Sequence, residues 1–195
     1  HRILWVLLSA QLLAGAADSS LRWEFDGSAT PTGGEAALRS GKPAFVPTDT
    51  GQGLAPGTTL SWADCPALRL APELELACRF RLDQLQEGVQ TLAVKDGEYL
   101  LRVDWQKEGG TLSFFVQIDG KWDPRLRGPV VKAGTWYDVR AVWSGQGLRM
   151  EVNGETYRSS RGGRTHPGDA PLQIGPLAGV MDCLEVRNPG QARAA

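Results

Sequence analysis

The sequence has almost no net charge and very little histidine. Its 21 basic and 22 acidic residues leave a formal net charge of −1, and it contains two histidines. Nucleic acids and anionic membranes attract proteins with a basic surplus, so we expect neither as a partner. His166, the histidine outside the N-terminal segment, lies in a loop without a cysteine or aspartate at ligand spacing. Zinc sites and catalytic triads that depend on histidine are therefore not expected.

Long apolar runs and helical periodicity are also missing, except at the N-terminus. Residues 1–17 combine Arg2, an apolar stretch and small residues at 14–17, which is the pattern of a secretory signal peptide. An uncleaved membrane anchor is the alternative interpretation. No second apolar stretch follows, so we expect no membrane span in the mature chain and a secreted, periplasmic or cell-surface location. Residues 18–188 are predicted to form one domain and residues 189–195, which lack an apolar face, a disordered tail.

Cysteine is scarce, with three residues that could form disulfides in an exported protein. A two-residue turn at Ala71-Pro72 would place Cys65 opposite Cys78, but this register mixes apolar and charged positions on each face. We therefore do not expect that disulfide. Cys78 shares the parity of the apolar residues between Leu74 and Leu82, so we predict a buried core thiol.

Strict two-residue alternation of apolar and polar side chains is what the sequence does contain. The clearest case is residues 134–154, where two alternating segments are separated by Ser144–Gly147 and followed by Asn153-Gly154. Asn-Gly is a strong hairpin signal because both residues tolerate a positive φ. Pairing the two segments across the first turn puts Arg140 opposite Glu151 on the outer face. A hairpin with one apolar face needs a second sheet to cover it, so the segment predicts a β-sandwich.

Further strands follow from the same alternation and from the turn residues that bound it. The strongest patterns cover 74–82, 99–105 and 112–118. Shorter strands are predicted at 21–27, 58–62, 67–70, 172–174 and 180–186. Residues 28–57, rich in glycine, proline and threonine, are predicted to be a loop with one or two short strands. We expect one all-β domain.

Several of these segments resemble one known family. Trp136, the strand that follows it and the later LRMEVNG resemble the central part of the laminin-G-like, concanavalin A-like lectin/glucanase family. PLQIG at 171–175 and GVMDCLEV at 179–186 are similar to its closing strands, and LRWEFDG at 21–27 to its opening strand. The resemblance implies a two-sheet antiparallel jelly-roll β-sandwich. It also implies glycan binding, which many members perform, or glycan cleavage, which some perform.

The resemblance further implies a structural Ca²⁺. In members of this fold an aspartate in the last strand often holds Ca²⁺ with oxygen atoms of the opening segment, and Asp182 matches that position. Asp26 and Glu24 lie on the segment expected beside it, and hard oxygen ligands suit calcium. The alternative is that Asp182 only accepts backbone hydrogen bonds at a β-bulge. The sequence leaves both interpretations open.

A catalytic carboxylate pair is not evident. Glycosidases of this fold carry a Glu-x-Asp-x-Glu run, and the nearest equivalent here is Glu73-Leu-Glu75. These two carboxylates share a strand face at a spacing compatible with a retaining pair. Arg79 and Arg81 continue the same face, however, which favours a row of salt bridges. We therefore do not expect an enzyme.

Two of the predicted strands, when paired, form a candidate binding face. Pairing Leu101 with Val116 keeps the apolar residues inward and puts Arg102 opposite Phe115 on the outer face. A two-residue turn at Asp119-Gly120 then places Trp122 opposite Gln117 on the same outer face. Aromatic rings stack on sugar rings, and arginine donates to carboxylate or sulfate. The predicted ligand-binding residues are Arg102, Phe115, Gln117 and Trp122, with Arg140 nearby.

The alternative for this face is structural. The loop Arg158–Asp169, rich in glycine and arginine, is long enough to cover the aromatic side chains and turn them into a minor core. In that case the face would contribute stability and would bind no ligand.

Three functions from different classes remain, and we prefer glycan binding. The first is an exported non-catalytic module that binds a polysaccharide or glycoconjugate, with acidic glycans suggested by the arginines. The second is an exported protein-interaction or structural domain that contacts another cell-surface protein. The third is a divergent glycan hydrolase or lyase. A glycan-binding screen separates the first from the second, and product release from a bound glycan would establish the third.

Overall fold

Fifteen strands form from the alternating segments in the computed structural model, which describes residues 19–70 and 72–189. In chain order they are β1 (Ser19–Trp23), β2 (Leu38–Ser40), β3 (Phe45–Pro47), β4 (Gln52–Leu54), β5 (Leu60–Trp62), β6 (Leu74–Leu82), β7 (Gln90–Lys95), β8 (Tyr99–Val103), β9 (Thr111–Val116), β10 (Leu126–Val130), β11 (Trp136–Trp143), β12 (Leu148–Val152), β13 (Glu155–Ser159), β14 (Leu172–Ile174) and β15 (Gly179–Asn188). Short 3₁₀ turns occur at Pro66–Leu68 and Gln106–Glu108.

The strands form two antiparallel sheets. Sheet A has the order β13-β12-β11-β6-β15-β4-β3, and β1 pairs with β15 beside this path. Sheet B has the order β10-β9-β8-β7-β14-β5-β2. Neighbours in each sheet are often far apart in sequence, as in a jelly roll. The predicted all-β, two-sheet antiparallel jelly-roll β-sandwich is confirmed.

The two sheets bury their facing apolar side chains against each other. Trp23, Trp62 and Trp143 are at most 1% exposed, and the rings of Trp23 and Trp62 lie 4.9 Å apart. Cys78 is 3% exposed, which confirms the predicted core thiol. The cysteines at 65, 78 and 183 are all free, and Cys65 is therefore not bonded to Cys78.

The hairpin at 134–154 forms in the predicted register. Arg140 pairs with Glu151, and Asn153 and Gly154 adopt φ angles of 49° and 88° in the turn that follows. On its other side β11 pairs with β6, where Arg140 lies opposite Ala77. β15 pairs with the other edge of β6, so β6 stands in the middle of sheet A.

The pairing of β8 with β9 differs from the prediction by two residues. Arg102 pairs with Ser113 rather than with Phe115. The reason is that β8 ends at Val103 and the chain then turns through Gln106–Glu108 and two glycines with positive φ. A shift of two residues preserves the parity of a strand. Arg102 and Phe115 therefore still share the outer face of sheet B.

Other predictions of strands and loops are wrong. Residues 67–70 do not form a strand, because Pro66 begins a 3₁₀ turn, a position that suits its fixed φ and missing N–H. The loop at 28–57 contains three short strands rather than one or two. β7, β10 and β13 were not predicted; β7 and β10 each contain a register shift that interrupts the alternation.

Two predictions lie outside the described residues. These are the signal peptide at 1–17 and, except for its first residue, the tail at 189–195. Within the described part of the chain, no helix has the length and apolar character needed to cross a membrane.

Candidate functional site

An open groove of about 630 Å³ lies on the outer face of sheet A. Arg140 of β11 is flanked by Ala77 of β6 and by Glu151 of β12. Thr156 of β13 lies opposite Glu151, and Glu185 of β15 lies opposite Ala77. These outward side chains form one row across the strands, and the small methyl group of Ala77 leaves a gap in the row. The polar residues that line this sheet A groove include Arg22, Arg79, Asp138, Arg140, Glu151 and Thr156.

Carboxylates hold the arginines of the groove in place. Arg140 Nη2 donates to Glu75 Oε2 at 2.7 Å, and Arg22 Nη1 donates to Glu185 Oε2 at 3.1 Å. Arg79 is paired with three carboxylates. The hydrogen bond to Glu75 raises the pKa of Arg140 above its ordinary value. The guanidinium groups are thus fixed donors whose positive charge is balanced within the protein.

Several groups of the groove remain open to solvent. The side chains of Asp138, Arg140 and Glu151 are 73%, 46% and 36% exposed. Trp136 lies two residues before Asp138 on the same face of β11, with the Arg79 guanidinium 4.5 Å from its ring centre. The groove therefore offers exposed donors, exposed acceptors and a neighbouring aromatic ring. Such a set suits a ligand that carries many hydroxyl groups.

The predicted binding face lies on sheet B, and only part of it assembles as expected. Arg102 and Phe115 meet, with the guanidinium 4.7 Å from the ring centre. Arg125 covers the same ring at 5.2 Å, so Phe115 is only 4% exposed. The prediction that Phe115 is an exposed stacking platform is therefore wrong. Arg140 is also not nearby, because β11 belongs to sheet A and the sandwich core separates the two faces.

Gln117 and Trp122 are half-buried beside a tight turn. The predicted two-residue turn forms, with a bridge between Ile118 and Lys121. Arg161 donates to the carbonyl oxygens of Lys121 and Trp122 at 2.8 and 3.2 Å. The loop that contains Arg161 therefore contacts the backbone of this turn, whereas the ring of Phe115 is covered by Arg125 and not by the loop that the structural alternative named.

The predicted calcium ligands do not fit a cation. Asp182 sits at a β-bulge, but its Oδ1 accepts hydrogen bonds from the hydroxyls of Thr48 and Thr50 at 3.1 and 2.8 Å. Its Oδ2 lies 3.5 Å from Arg79, which already supplies the positive charge. Glu24 is paired with Arg22, and Asp26 lies against Gly51. Within residues 19–70 and 72–189, no three His, Cys, Asp or Glu side chains form a metal-binding group.

The remaining catalytic candidates have structural environments. Glu75 is 8% exposed and paired with Arg140, and His166 is exposed in its loop. Two residues of the sheet B face, Arg125 and Trp105, do not follow from the sequence pattern; Trp105 is 46% exposed after the end of β8. No signal marked Arg125, because β10 and the segment before it show no regular alternation. The pattern at 99–105 predicts a strand that includes Trp105, but β8 ends two residues earlier.

Known proteins of similar structure share the fold at low sequence identity. Domain 4 of an extracellular GH43 arabinanase from Geobacillus stearothermophilus, solved with arabinotriose, matches with a TM-score of 0.65 and 14% identity over 90% of this chain and 97% of that chain. A botulinum neurotoxin type C structure matches with a TM-score of 0.58 and 8% identity over 87% of this chain and 46% of that chain. A sialidase from Trypanosoma rangeli, in complex with sialic acid, matches with a TM-score of 0.55 and 12% identity over 89% of this chain and 32% of that chain.

No curated protein sequence matches the chain. The family model described as the concanavalin A-like lectin/glucanases superfamily matches residues 75–183, from β6 through the first half of β15. These residues include both strands of the predicted hairpin and most of the sheet A groove. The chain therefore belongs to the concanavalin A-like lectin/glucanases superfamily.

Proposed function

We propose that the chain is an exported, non-catalytic module that binds a glycan in the sheet A groove. The observation that carries the proposal is the row of outward side chains interrupted at Ala77, which opens a groove of about 630 Å³. Small-ligand sites typically have volumes of roughly 300–1,000 Å³. A groove that crosses several strands also accommodates an extended chain of sugar units.

The chemistry of the groove suits neutral sugars. Asp138 and Glu151 offer exposed acceptors, Arg140 offers exposed donors and Thr156 offers both. Charged groups make the stronger hydrogen bonds to hydroxyls. Because internal carboxylates already balance the arginines, the groove gains little from an additional negative charge on the ligand.

The structural relatives support glycan binding in general terms. The arabinanase domain was solved with arabinotriose, and the neurotoxin is described as depending on two ganglioside molecules for cell entry. Export is supported by the signal-peptide pattern at 1–17. A non-catalytic role is supported by the pairing of Glu75 with Arg140, which leaves the Glu73-Leu-Glu75 run without a free carboxylate pair.

The proposal is tested with the purified full chain on an array of neutral and acidic oligosaccharides that includes arabinotriose. Calorimetry on the best neutral ligand then compares the wild type with Asp138→Ala and Glu151→Ala. Each variant removes an exposed acceptor, so we expect affinity to fall roughly tenfold for each.

Glu87→Ala is the matched control, because it removes an exposed carboxylate outside the groove. It should leave the affinity unchanged, and thermal melts should show that all variants are folded. Folded wild-type protein that binds no glycan would contradict the function. Unchanged affinity in both groove variants would reject the groove as the site.

A further inference from the structure

A second group of polar side chains is built around Asp104 on the outer face of sheet B. Asp104 is 2% exposed overall, and its Oδ1 accepts hydrogen bonds from Arg102 Nε at 2.8 Å and Arg125 Nη1 at 3.0 Å. Its Oδ2 accepts from Ser113 Oγ at 2.6 Å and Thr111 Oγ1 at 3.1 Å. Both oxygen atoms are therefore fully used, and Asp104 is a fixed internal support for the two arginines.

The two arginines are held over one aromatic ring. The guanidinium groups of Arg102 and Arg125 lie 4.7 and 5.2 Å from the ring centre of Phe115. Their side chains are only 21% and 13% exposed. A donor pair fixed in this way loses little conformational entropy when a ligand binds. The arrangement is therefore prepared for an anion that bridges the two guanidinium groups.

A carboxylate of the protein itself occupies this bridging position. Glu108 Oε2 lies 3.1 Å from Arg125 Nη1 and 3.9 Å from Arg102 Nη2. Unlike Asp104, Glu108 has a side chain that is 42% exposed. It belongs to the short turn Gln106–Glu108 at the surface. The carboxylate partner of these ion pairs is open to solvent, which weakens them, so an external carboxylate can compete for the position.

An exposed aromatic ring adjoins the same turn. Trp105 is 46% exposed, and its carbonyl oxygen accepts hydrogen bonds from the backbone N–H groups of Glu108 at 2.8 Å and Gly110 at 3.0 Å. These bonds tie the position of Trp105 to the turn that carries Glu108. The exposed indole of the residue that follows Asp104, together with the anion-binding pair, gives the combination that recognises a sugar ring bearing a carboxylate.

We propose that sheet B carries a second binding site, specific for the carboxylate of an acidic sugar residue in a glycan. The ligand carboxylate takes the place of the Glu108 carboxylate between Arg102 and Arg125, and the sugar ring lies on Trp105. Glu108 is thus an internal occupant that the ligand displaces. The site is independent of the sheet A groove, which lies on the opposite face of the sandwich.

Calorimetry with the full chain tests this site, using a glucuronic acid oligosaccharide and the same oligosaccharide with its carboxyl groups reduced to alcohols. Glu108→Gln removes the competing charge and should tighten binding of the acidic oligosaccharide roughly two- to fivefold. Trp105→Ala should weaken it roughly three- to tenfold. Arg125→Gln should weaken it at least about tenfold. Binding should also weaken as salt rises.

Three controls make the outcome specific to the site. Glu87→Gln removes an exposed carboxylate elsewhere and should change nothing. Lys42→Gln removes an exposed positive charge after β2, at the opposite edge of sheet B, and should leave affinity for the acidic oligosaccharide unchanged. Glutarate, a dicarboxylate without a sugar ring, should bind at least tenfold more weakly than the oligosaccharide. Melting curves verify the fold of each variant.

The exposed positions of Glu108 and Trp105 keep the test decisive even if Arg125→Gln unfolds the protein. Equal binding of the acidic and reduced oligosaccharides would overturn the proposal, and so would a Glu108→Gln variant that binds the acidic one no more tightly. Glutarate binding as tight as the oligosaccharide would overturn the assignment to a sugar. Loss of neutral-glycan binding in the variants of the sheet A groove would bear on the proposed function and would say nothing about the sheet B site.

Discussion

Lys95 offers the sharpest test of how this sandwich is held together. Its side chain is 0% exposed, and Nζ lies 2.9 Å from Asp64 Oδ1 and 2.5 Å from Glu98 Oε1. Nζ also donates to the carbonyl oxygen of Gly168 at 3.0 Å, which ties the long loop before β14 to the end of the sandwich. Apart from Lys95, no donor in the described part of the chain reaches these two carboxylate oxygens.

Lys95→Met keeps the volume and removes the charge. Glu98, with a fully buried side chain, then loses its cation, while Asp64 keeps its salt bridge to Arg69 at 2.6 Å. Breaking a buried ion pair by removing one partner costs about 3–5 kcal/mol, because the other charge stays buried and uncompensated. In a domain of this size we expect the melting temperature to fall by roughly 6–20 °C.

Urea unfolding at several pH values measures the effect. Burial raises the pKa of Asp64, but the hydrogen bonds from Arg69 and Lys95 outweigh it and hold this pKa below its ordinary value of 3.8. A lowered folded-state pKa gives stability that is complete above that ordinary value and is lost as the pH falls through the folded-state pKa. Lys95→Met removes part of this stabilisation, so its stability should depend less steeply on pH in that acidic range.

Lys132→Met is the matched control, because Lys132 is exposed. It should change the free energy of unfolding by no more than about 0.5 kcal/mol. The double variant Lys95→Met with Glu98→Gln should recover part of the loss, since it removes the uncompensated charge as well. A Lys95→Met protein as stable as the wild type, or a double variant less stable than the single one, would refute this reasoning.

Two further predictions concern the core and the β-bulge. Trp143→Ala should lower the free energy of unfolding by about 3–5 kcal/mol, because removing the 1% exposed indole leaves a cavity. Trp136→Ala, on the outer face, should lower the free energy of unfolding less. Urea unfolding of the two variants measures the difference. Asp182→Ala should destabilise by roughly 1–3 kcal/mol, because the hydroxyls of Thr48 and Thr50 and the Arg79 guanidinium lose their acceptor. EDTA should leave the melting temperature of the wild type unchanged. If EDTA lowered the melting temperature of the wild type but not that of Asp182→Ala, a calcium site at Asp182 would be established instead.

Local sequence determined the elements whose geometry depends on near neighbours. The hairpin at 134–154 forms with Arg140 opposite Glu151 because both alternating segments and the short turn between them are regular. β6 begins at Leu74 and ends at Leu82, as its alternation predicts. The apolar side of these strands, including Cys78, identified the core correctly. In each case a period of two residues decides which side chain turns inward, and that information is local.

Irregular local geometry limited the prediction of the sheet B face. Parity correctly placed Arg102 and Phe115 on the same side, but the 3₁₀ turn at Gln106–Glu108 shifted the register by two residues. That turn also exposes Trp105 and brings Glu108 to Arg125. A 3₁₀ turn of three residues is too short to show a sequence period, so the details of this face required the structure.

Tertiary structure decided which other side chains join Arg140 and Glu151 in the sheet A groove. Arg22 of β1, Arg79 of β6 and Arg140 of β11 meet on one face because β15 joins β1 to β6 and β6 joins β15 to β11. The order of strands in a sheet depends on long-range pairing, and alternation within a strand says nothing about which other strand will lie beside it. Likewise, Phe115 became buried because Arg125, from a segment without a regular pattern, covers its ring. The sequence decided which residues face outward, and only the packing of distant strands decided which outward residues stand together.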